Sequence, residues 1–352
     1  YMPVEECGNI LIMGLALANS LRSRSTTYSN RDETGIFSLL AGSEKNINYF
    51  DDDWAALGWE DAKNWVDRSY SLWKQWTQYL VDFSLRPGNQ LSTDDFAGWL
   101  SLQTGLALKG IIGINAMSEL AKLTGNHKDA KFYKNISTTY IEKWEGYAIS
   151  RDKTHAKVAY DWYGSWTTLY NLYADSLLCF HVSDNSIENT GQRDSQHQFS
   201  IGSSGAKTGF VPKHIYQIQS DWYWNVRQKY GVPLDSRHLY TKTDWEFFAA
   251  AIAAPQVRAE ILELVAKWVN ETDTDRPLTD LHDTEHHGGF PGPNFFARPV
   301  VGGHFAFLAL DKACGTVDLR PPPHLDVDTI LSMERTEMGG TETSEALGTR
   351  DV

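Results

Sequence analysis

Asp94 and Asp95 stand side by side in "NQLSTDDFAGWL" (89–100), a stretch with no other charge. Two carboxylates among aromatic and apolar neighbours are costly to desolvate unless a partner or a reaction uses them. Held together, they push their pKa values apart, so that one can act as general base while the other keeps a proton or binds an ammonium group. The structural alternative is an Asx or capping turn formed by Thr93, Asp94 or Asp95. A second acidic pair, Glu5 and Glu6, opens the apolar run "VEECGNILIMGLALANS". It supplies either an opposing acid or a favourable charge for a helix dipole.

Lys109 lies inside "LALKGIIG". A lysine in an apolar helix must find a carboxylate, lose its proton or reach outward along its stem; lining a cavity, it suits an oxyanion or a carboxylate. Arg298, in "FARPVVGGH", is the leading candidate for a bidentate grip on a carboxylate, with Arg237 second. Trp166, Tyr240, Asp244, Trp245 and His304 complete the candidate binding residues. Asp244 also reads as a helix cap after Thr243, and Trp245 with Phe247 and Phe248 as core. His282, His286 and His287 in "LHDTEHHGGFPGPNFF" lack helical i, i+4 spacing and sit among Gly and Pro, which favours a surface loop over a metal site. No metal-ligand set is expected, and no cofactor, since P-loop, dinucleotide and G-x-S-x-G fingerprints are absent.

The elements that must position these residues are helices of two kinds. Segments 4–20, 104–122, 165–180, 243–253 and 302–313 are compact, apolar and nearly uncharged, whereas 59–83, 128–146, 212–229 and 255–270 carry one hydrophobic stripe. In 59–83 the stripe is Trp59, Ala62, Trp65, Val66, Trp73, Trp76, Leu80 and Phe83. Helices apolar all round belong inside and striped helices outside, and strict alternation winds them into two layers. The expected fold is all-α, an (α/α)6 toroid, with an irregular bundle or an open solenoid as alternatives. The polar clusters 2–9, 89–98, 160–166, 237–246 and 295–304 each precede or open an inner helix. In such a ring they converge at one mouth of the central funnel, where ligands bind.

The toroid domain is expected over 1–313, with polar insertions at about 22–58 and 183–209, and residues 314–352 as an irregular tail. Counted against six hairpins the ring is incomplete, with two helices expected before Tyr1 and one after residue 313. The gap should expose Ile10, Leu11 and Met13.

Composition narrows the function classes. The 352 residues carry a formal net charge of −13, which argues against nucleic acid as a partner, and no apolar run is long enough to span a membrane. Cys7, Cys179 and Cys314 are too far apart for zinc or thiol redox motifs and allow at most one disulfide. Asn135-Ile-Ser and Asn270-Glu-Thr fit the N-glycosylation pattern, which favours secretion.

Six motifs together resemble the helical domain of the fungal glutaminase A family: "PVEECGNILIM", "NQLSTDDFAGWL", "TGLALKGIIGINAMSELAKLTG", "SWTTLYNLYADSLL", "KYGVPLDSRHLYTKTDWEFFAAAIA" and "FFARPVVGGHFAFLAL". The likeness covers roughly 1–20, 60–182 and 210–313. It implies a secreted enzyme, extracellular or at the cell wall, in which an N-terminal β-rich domain precedes a six-hairpin toroid. The implied reaction is hydrolysis of L-glutamine with release of ammonia. The family has short connections where this chain has its two insertions. Residue chemistry alone also admits a glycoside hydrolase with two opposed carboxylates, for which Trp162, Tyr163, Trp166, Tyr240 and Trp245 would stack on sugars. A non-enzymatic carbohydrate-binding or scaffold fragment is a further alternative.

Overall fold

The almost uncharged stretch Thr104–Leu123 folds as a helix with 16 of its 20 residues buried. The following helix, His127–Ala148, buries only Ala130, Tyr133, Ser137, Ile141, Trp144 and Ala148, a single face at three- and four-residue steps. Gly125, at φ +77, makes the turn between them, and this inner–outer hairpin sets the pattern for the chain. The computed structural model describes residues 1–28, 60–180, 209–272, 280–289 and 300–314, all within one compact unit.

In chain order the helices are α1 (Pro3–Tyr28), α2 (60–68), α3 (Tyr70–Phe83), α4 (Thr104–Leu123), α5 (His127–Ala148), α6 (Leu172–Leu177), α7 (Lys213–Val226), α8 (Thr243–Ile252), α9 (Pro255–Glu271) and α10 (Ala306–Cys314). Helices α1, α4, α6, α8 and α10 touch one another in succession, and α10 returns to α1. Outer helices back onto this inner set, α3 and α5 on α4 and α9 on α8. The architecture is the all-α, two-layer arrangement of the α/α toroid. Helices α1 and α4 cross where glycines let their backbones meet. A Cβ on Gly113 would come within 3.2 Å of the Gly8 Cα, and one on Gly8 within 3.0 Å of the Lys109 Cγ.

Several expectations change. Helix α1 runs on to Tyr28, into the segment read as an insertion from 22; the rest of 22–58, nearly all of 183–209 and the tail after 314 lie outside the described residues. On the long outer stripe Ala62, Val66, Trp73 and Leu80 are buried, but Phe83, in the last turn of α3, is 48% exposed and packs on Tyr79. Segment 165–180 keeps only α6 as helix. Its first half is drawn into backbone bonds with 233–236, including Thr168 N–H to the Leu234 carbonyl at 2.8 Å. Leu11 is fully buried, whereas Met13 and Leu17 of the same helix are 60% and 48% exposed.

One small sheet was not expected. Strand β1 (Tyr240–Lys242) pairs antiparallel with β2 (Leu281–Asp283), Lys242 opposite Leu281. It places Lys242 next to Asp280 at the threshold of α8. It also buries His282, which stacks on Trp268 at 3.9 Å and meets the Tyr230 carbonyl at 2.9 Å. Burial depresses the His282 pKa to about 4. The surface-loop expectation therefore fails for His282 and suits only His286 and His287, which are exposed. Cys179 is disulfide-bonded and Cys7 is a free thiol.

Candidate active site

The first turn of α1 and the loop 90–97 are tied together by two backbone donors. Val4 N–H donates to the Gln90 side-chain oxygen at 3.1 Å, and Thr93 N–H to Glu5 Oε2 at 3.4 Å. The other oxygen of Glu5 accepts from the Lys109 ammonium of α4, so the lysine finds its carboxylate across the α1–α4 crossing. Both side chains are buried. A buried ion pair of this kind is a poor source of stability against an apolar replacement, yet removal of one partner strands a charge.

Asp94 is buried beside this pair. Its carboxylate accepts from Trp245 Nε1 at 2.9 Å on one oxygen and from the Tyr170 hydroxyl at 3.1 Å on the other. Tyr170 and Trp245 are themselves stacked, with centroids 4.4 Å apart and planes 5° from parallel. Both donors are thus held by one rigid unit. Burial pushes the Asp94 pKa up; Lys242 and the Trp245 bond oppose that, while the Glu5 charge adds to it. Asp94 starts a short 3₁₀ turn, Asp95–Ala97, but makes no side-chain cap bond. The capping alternative does not describe it.

Behind Trp245 lies a second charge cluster. Lys242 Nζ is 3.3 Å from Asp280 Oδ2 and 3.7 Å from Asp244 Oδ2, and it sits over the Trp245 ring, 4.4 Å from the centroid. Asp244 belongs to the first turn of α8, whose N-cap is Lys242, so the capping role does not hold for Asp244 either. Its pKa is pushed up to about 7, mainly by burial, with Lys242 opposing and Asp280 reinforcing. A Cβ on Gly303 would lie 2.6 Å from the Asp244 Cβ, so "GGH" (302–304) can close onto α8 only with glycine there. That contact brings His304 Nε2 to 2.9 Å from Thr243 Oγ1.

The structure therefore brings Glu5, Asp94, Lys109, Asp244, Trp245 and His304 to neighbouring positions. It does not bring Asp95 or Glu6, both of which are exposed while their neighbours are buried. Arg237 is already held by Asp235, at 2.9 and 2.7 Å, and donates to the Ala97 carbonyl at 3.2 Å. It fixes the loop carrying Asp94 instead of offering a free grip. Tyr240 reaches the same loop through an edge contact with Phe96 at 5.3 Å and stacks on His238 at 4.6 Å. Trp166 packs edge-on to Trp222 at 6.3 Å, outside the contacts that build the acid cluster. Arg298 lies outside the described residues.

Sequence reasoning missed Tyr170, Lys242, Asp280 and Gln90. Lys242 carried the signal that singled out Lys109, a lone lysine against an apolar helix, but it sat in a cluster rich in other polar residues. Tyr170 was hidden by reading 165–180 as continuous helix. Among the described residues, no group of His, Cys, Asp and Glu could hold a metal ion, and no helix is long and apolar enough to cross a membrane.

The profile of the glutaminase A six helical-hairpin domain matches residues 55–199 and 204–308. A probable glutaminase of Arthroderma benhamiae is 60% identical over 333 residues, covering 89% of this chain and 38% of that protein. Glutaminase A of Aspergillus oryzae is 38% identical over 312 residues, 88% of this chain and 35% of its own length. The chain thus spans little more than a third of each of these curated relatives. With the profile covering most of its described helices in the same order, the chain belongs to the glutaminase A six helical-hairpin family.

Proposed function

We propose that this chain carries the reaction site of an amidohydrolase that releases ammonia from L-glutamine. Amide hydrolysis needs an activated water, a proton donor for the departing ammonia and stabilisation of the tetrahedral oxyanion. Asp94 is the general base. Its carboxylate is fixed on both oxygens by the Tyr170 hydroxyl and the Trp245 indole, and burial raises its pKa, which strengthens it as a base. Asp244, with its pKa pushed up to about 7, retains a proton near neutrality and takes the donor role that the sequence assigned to one member of the Asp94–Asp95 pair or to Glu5 or Glu6. Lys109 is the cation available to the oxyanion or the substrate carboxylate, and Glu5 the anion available to the substrate ammonium. Arg298 remains the proposed grip for the α-carboxylate.

The observation that carries this reading is the buried Asp94 carboxylate, oriented by the Tyr170–Trp245 stack beside the Glu5–Lys109 pair, in a family whose relatives are named glutaminases. Of the aromatic residues named for the glycoside-hydrolase reading, Trp245 is not a free platform, because Tyr170, Lys242 and Phe248 surround its ring. Secretion and a preceding β-rich domain belong to the same proposal. Their support is the resemblance, the greater length of the relatives and the exposure of Asn135 and Asn270.

The test is ammonia release from L-glutamine, with L-asparagine, a panel of aryl glycosides and a glycan-binding array in parallel. Turnover of glutamine with none of the glycosides supports the proposal. Cleavage of a glycoside without ammonia release, or glycan binding with neither activity, replaces it.

A further inference from the structure

We propose that Lys242 is a positioning residue for the Asp94 site, fixing the Trp245 indole that orients Asp94 and supplying the buried positive charge behind it. This rests on the reading of Asp94 as the reacting carboxylate, although its direct test does not require turnover. The side chain is 2% exposed. Its ammonium lies 3.3 Å from Asp280, 3.7 Å from Asp244 and 4.4 Å from the centre of the Trp245 ring. Strand β1 holds its backbone opposite Leu281, and Thr243 N–H donates to the Asp280 carbonyl at 2.8 Å, so the lysine and both carboxylates belong to one bonded junction.

The geometry gives that junction a target. A cation over an indole face is attracted by the ring quadrupole, and the same indole donates to Asp94 at 2.9 Å. On the other partner of the stack, Lys109 lies 5.9 Å from the Tyr170 ring centre. The two aromatic donors to Asp94 are therefore each attended by a buried lysine, and each lysine has its own carboxylate, Glu5 for one and Asp280 for the other. Displacement of either lysine frees a ring to rotate away from Asp94. The charged and titratable groups facing Asp94 are Glu5 on α1, Tyr170 before α6, Lys242 and Tyr240 on β1, Arg237 before it and Asp244 on α8, with Lys109 of α4 against Glu5 and the Tyr170 ring.

The experiment isolates the Asp94 titration as the infrared carboxyl difference between the protein and its Asp94→Asn variant, repeated in Lys242→Met and Lys242→Arg backgrounds. Loss of the cation should move the Asp94 midpoint up by about one pH unit or more, and Lys242→Arg should return it toward the starting value. A folded Lys242→Met protein with an unmoved midpoint overturns the proposal. Where Lys242→Met does not fold, Lys242→Met/Asp280→Asn keeps the buried charges balanced; its midpoint is then compared with that of Asp280→Asn alone, and the same two outcomes decide. On glutamine, Lys242→Met should lower kcat about 10- to 100-fold, the range in which supporting residues around a reacting group act, with KM changed little. If the unaltered protein releases no ammonia, the glutamine reading falls, while the midpoint still decides the role of Lys242.

Discussion

Asp94 and Asp95 share a peptide bond but not an environment. A 3₁₀ turn begins between them, and successive side chains in such a turn point about 120° apart; one enters the site while the other faces water. Glu5 and Glu6 separate in the same way on α1. In the proposed reading, adjacent acids in the sequence therefore mark a place where the chain passes the site, and the pairs that do the chemistry are assembled across elements. That is why Glu5, Lys109 and Asp94 were legible from their unfavourable surroundings, whereas Tyr170 and Asp280 were not: nothing in their own segments is unusual until Trp245 and Lys242 meet them. The Glu5–Lys109 pair yields a stability prediction. Glu5→Gln leaves a buried ammonium unpaired and should cost about 3–5 kcal/mol, while Glu5→Gln/Lys109→Met should recover most of it. Denaturant unfolding of the two variants checks this, and equal stability of single and double variants would remove the ion pair from the account.

Helix identity was read well where one pattern ran the length of an element. The apolar α4 and the striped α5 lie within about two residues of the expected bounds, in line with the uncertainty of any helix end. The reading failed where long-range backbone bonds compete with helix, as in the stretch before α6, and where the inner and outer rule was applied to α1 as a whole. Helix α1 is enclosed on one side only. Leu11 faces the core, but Met13 and Leu17 face outward, so the expected exposure holds for Met13, is only partial for the half-buried Ile10 and fails for Leu11. Leu11→Ala should therefore cost about 2–5 kcal/mol through lost burial and the cavity left behind. Met13→Gln should stay within about 0.5 kcal/mol of the unaltered protein. Similar losses from both substitutions, measured by thermal unfolding, would mean that α1 is rotated from the position described.

At the scale of the whole molecule, two buried carboxylates outside ordinary ranges should govern part of the pH dependence of stability. Asp175, hydrogen-bonded by Tyr216 at 2.6 Å, and Asp244 are each pushed from 3.8 to about 7, chiefly by burial. The folded protein then keeps protons that the unfolded chain has released. Their contribution is complete below 3.8 and is lost as pH rises through about 7. Asparagine at 175 cannot ionise, so the stability difference between the protein and Asp175→Asn should shift in favour of the variant between about pH 5 and about pH 8. A difference that stays constant across that range contradicts the shifted Asp175.

The two-layer fold and the family were legible in the sequence alone, because both rest on patterns repeated along hundreds of residues. The site was legible only as a set of segments, since the contacts that select one member of each acidic pair are made between elements distant in sequence. The central claim is that selection. Ammonia release from L-glutamine, measured side by side for Asp94→Asn and Asp95→Asn, addresses it most directly. Asp94→Asn should lower turnover by about two to four orders of magnitude, with Asp95→Asn close to the unaltered protein; undiminished turnover in Asp94→Asn, or an equal loss in both, would contradict the assignment of Asp94 as the reacting carboxylate.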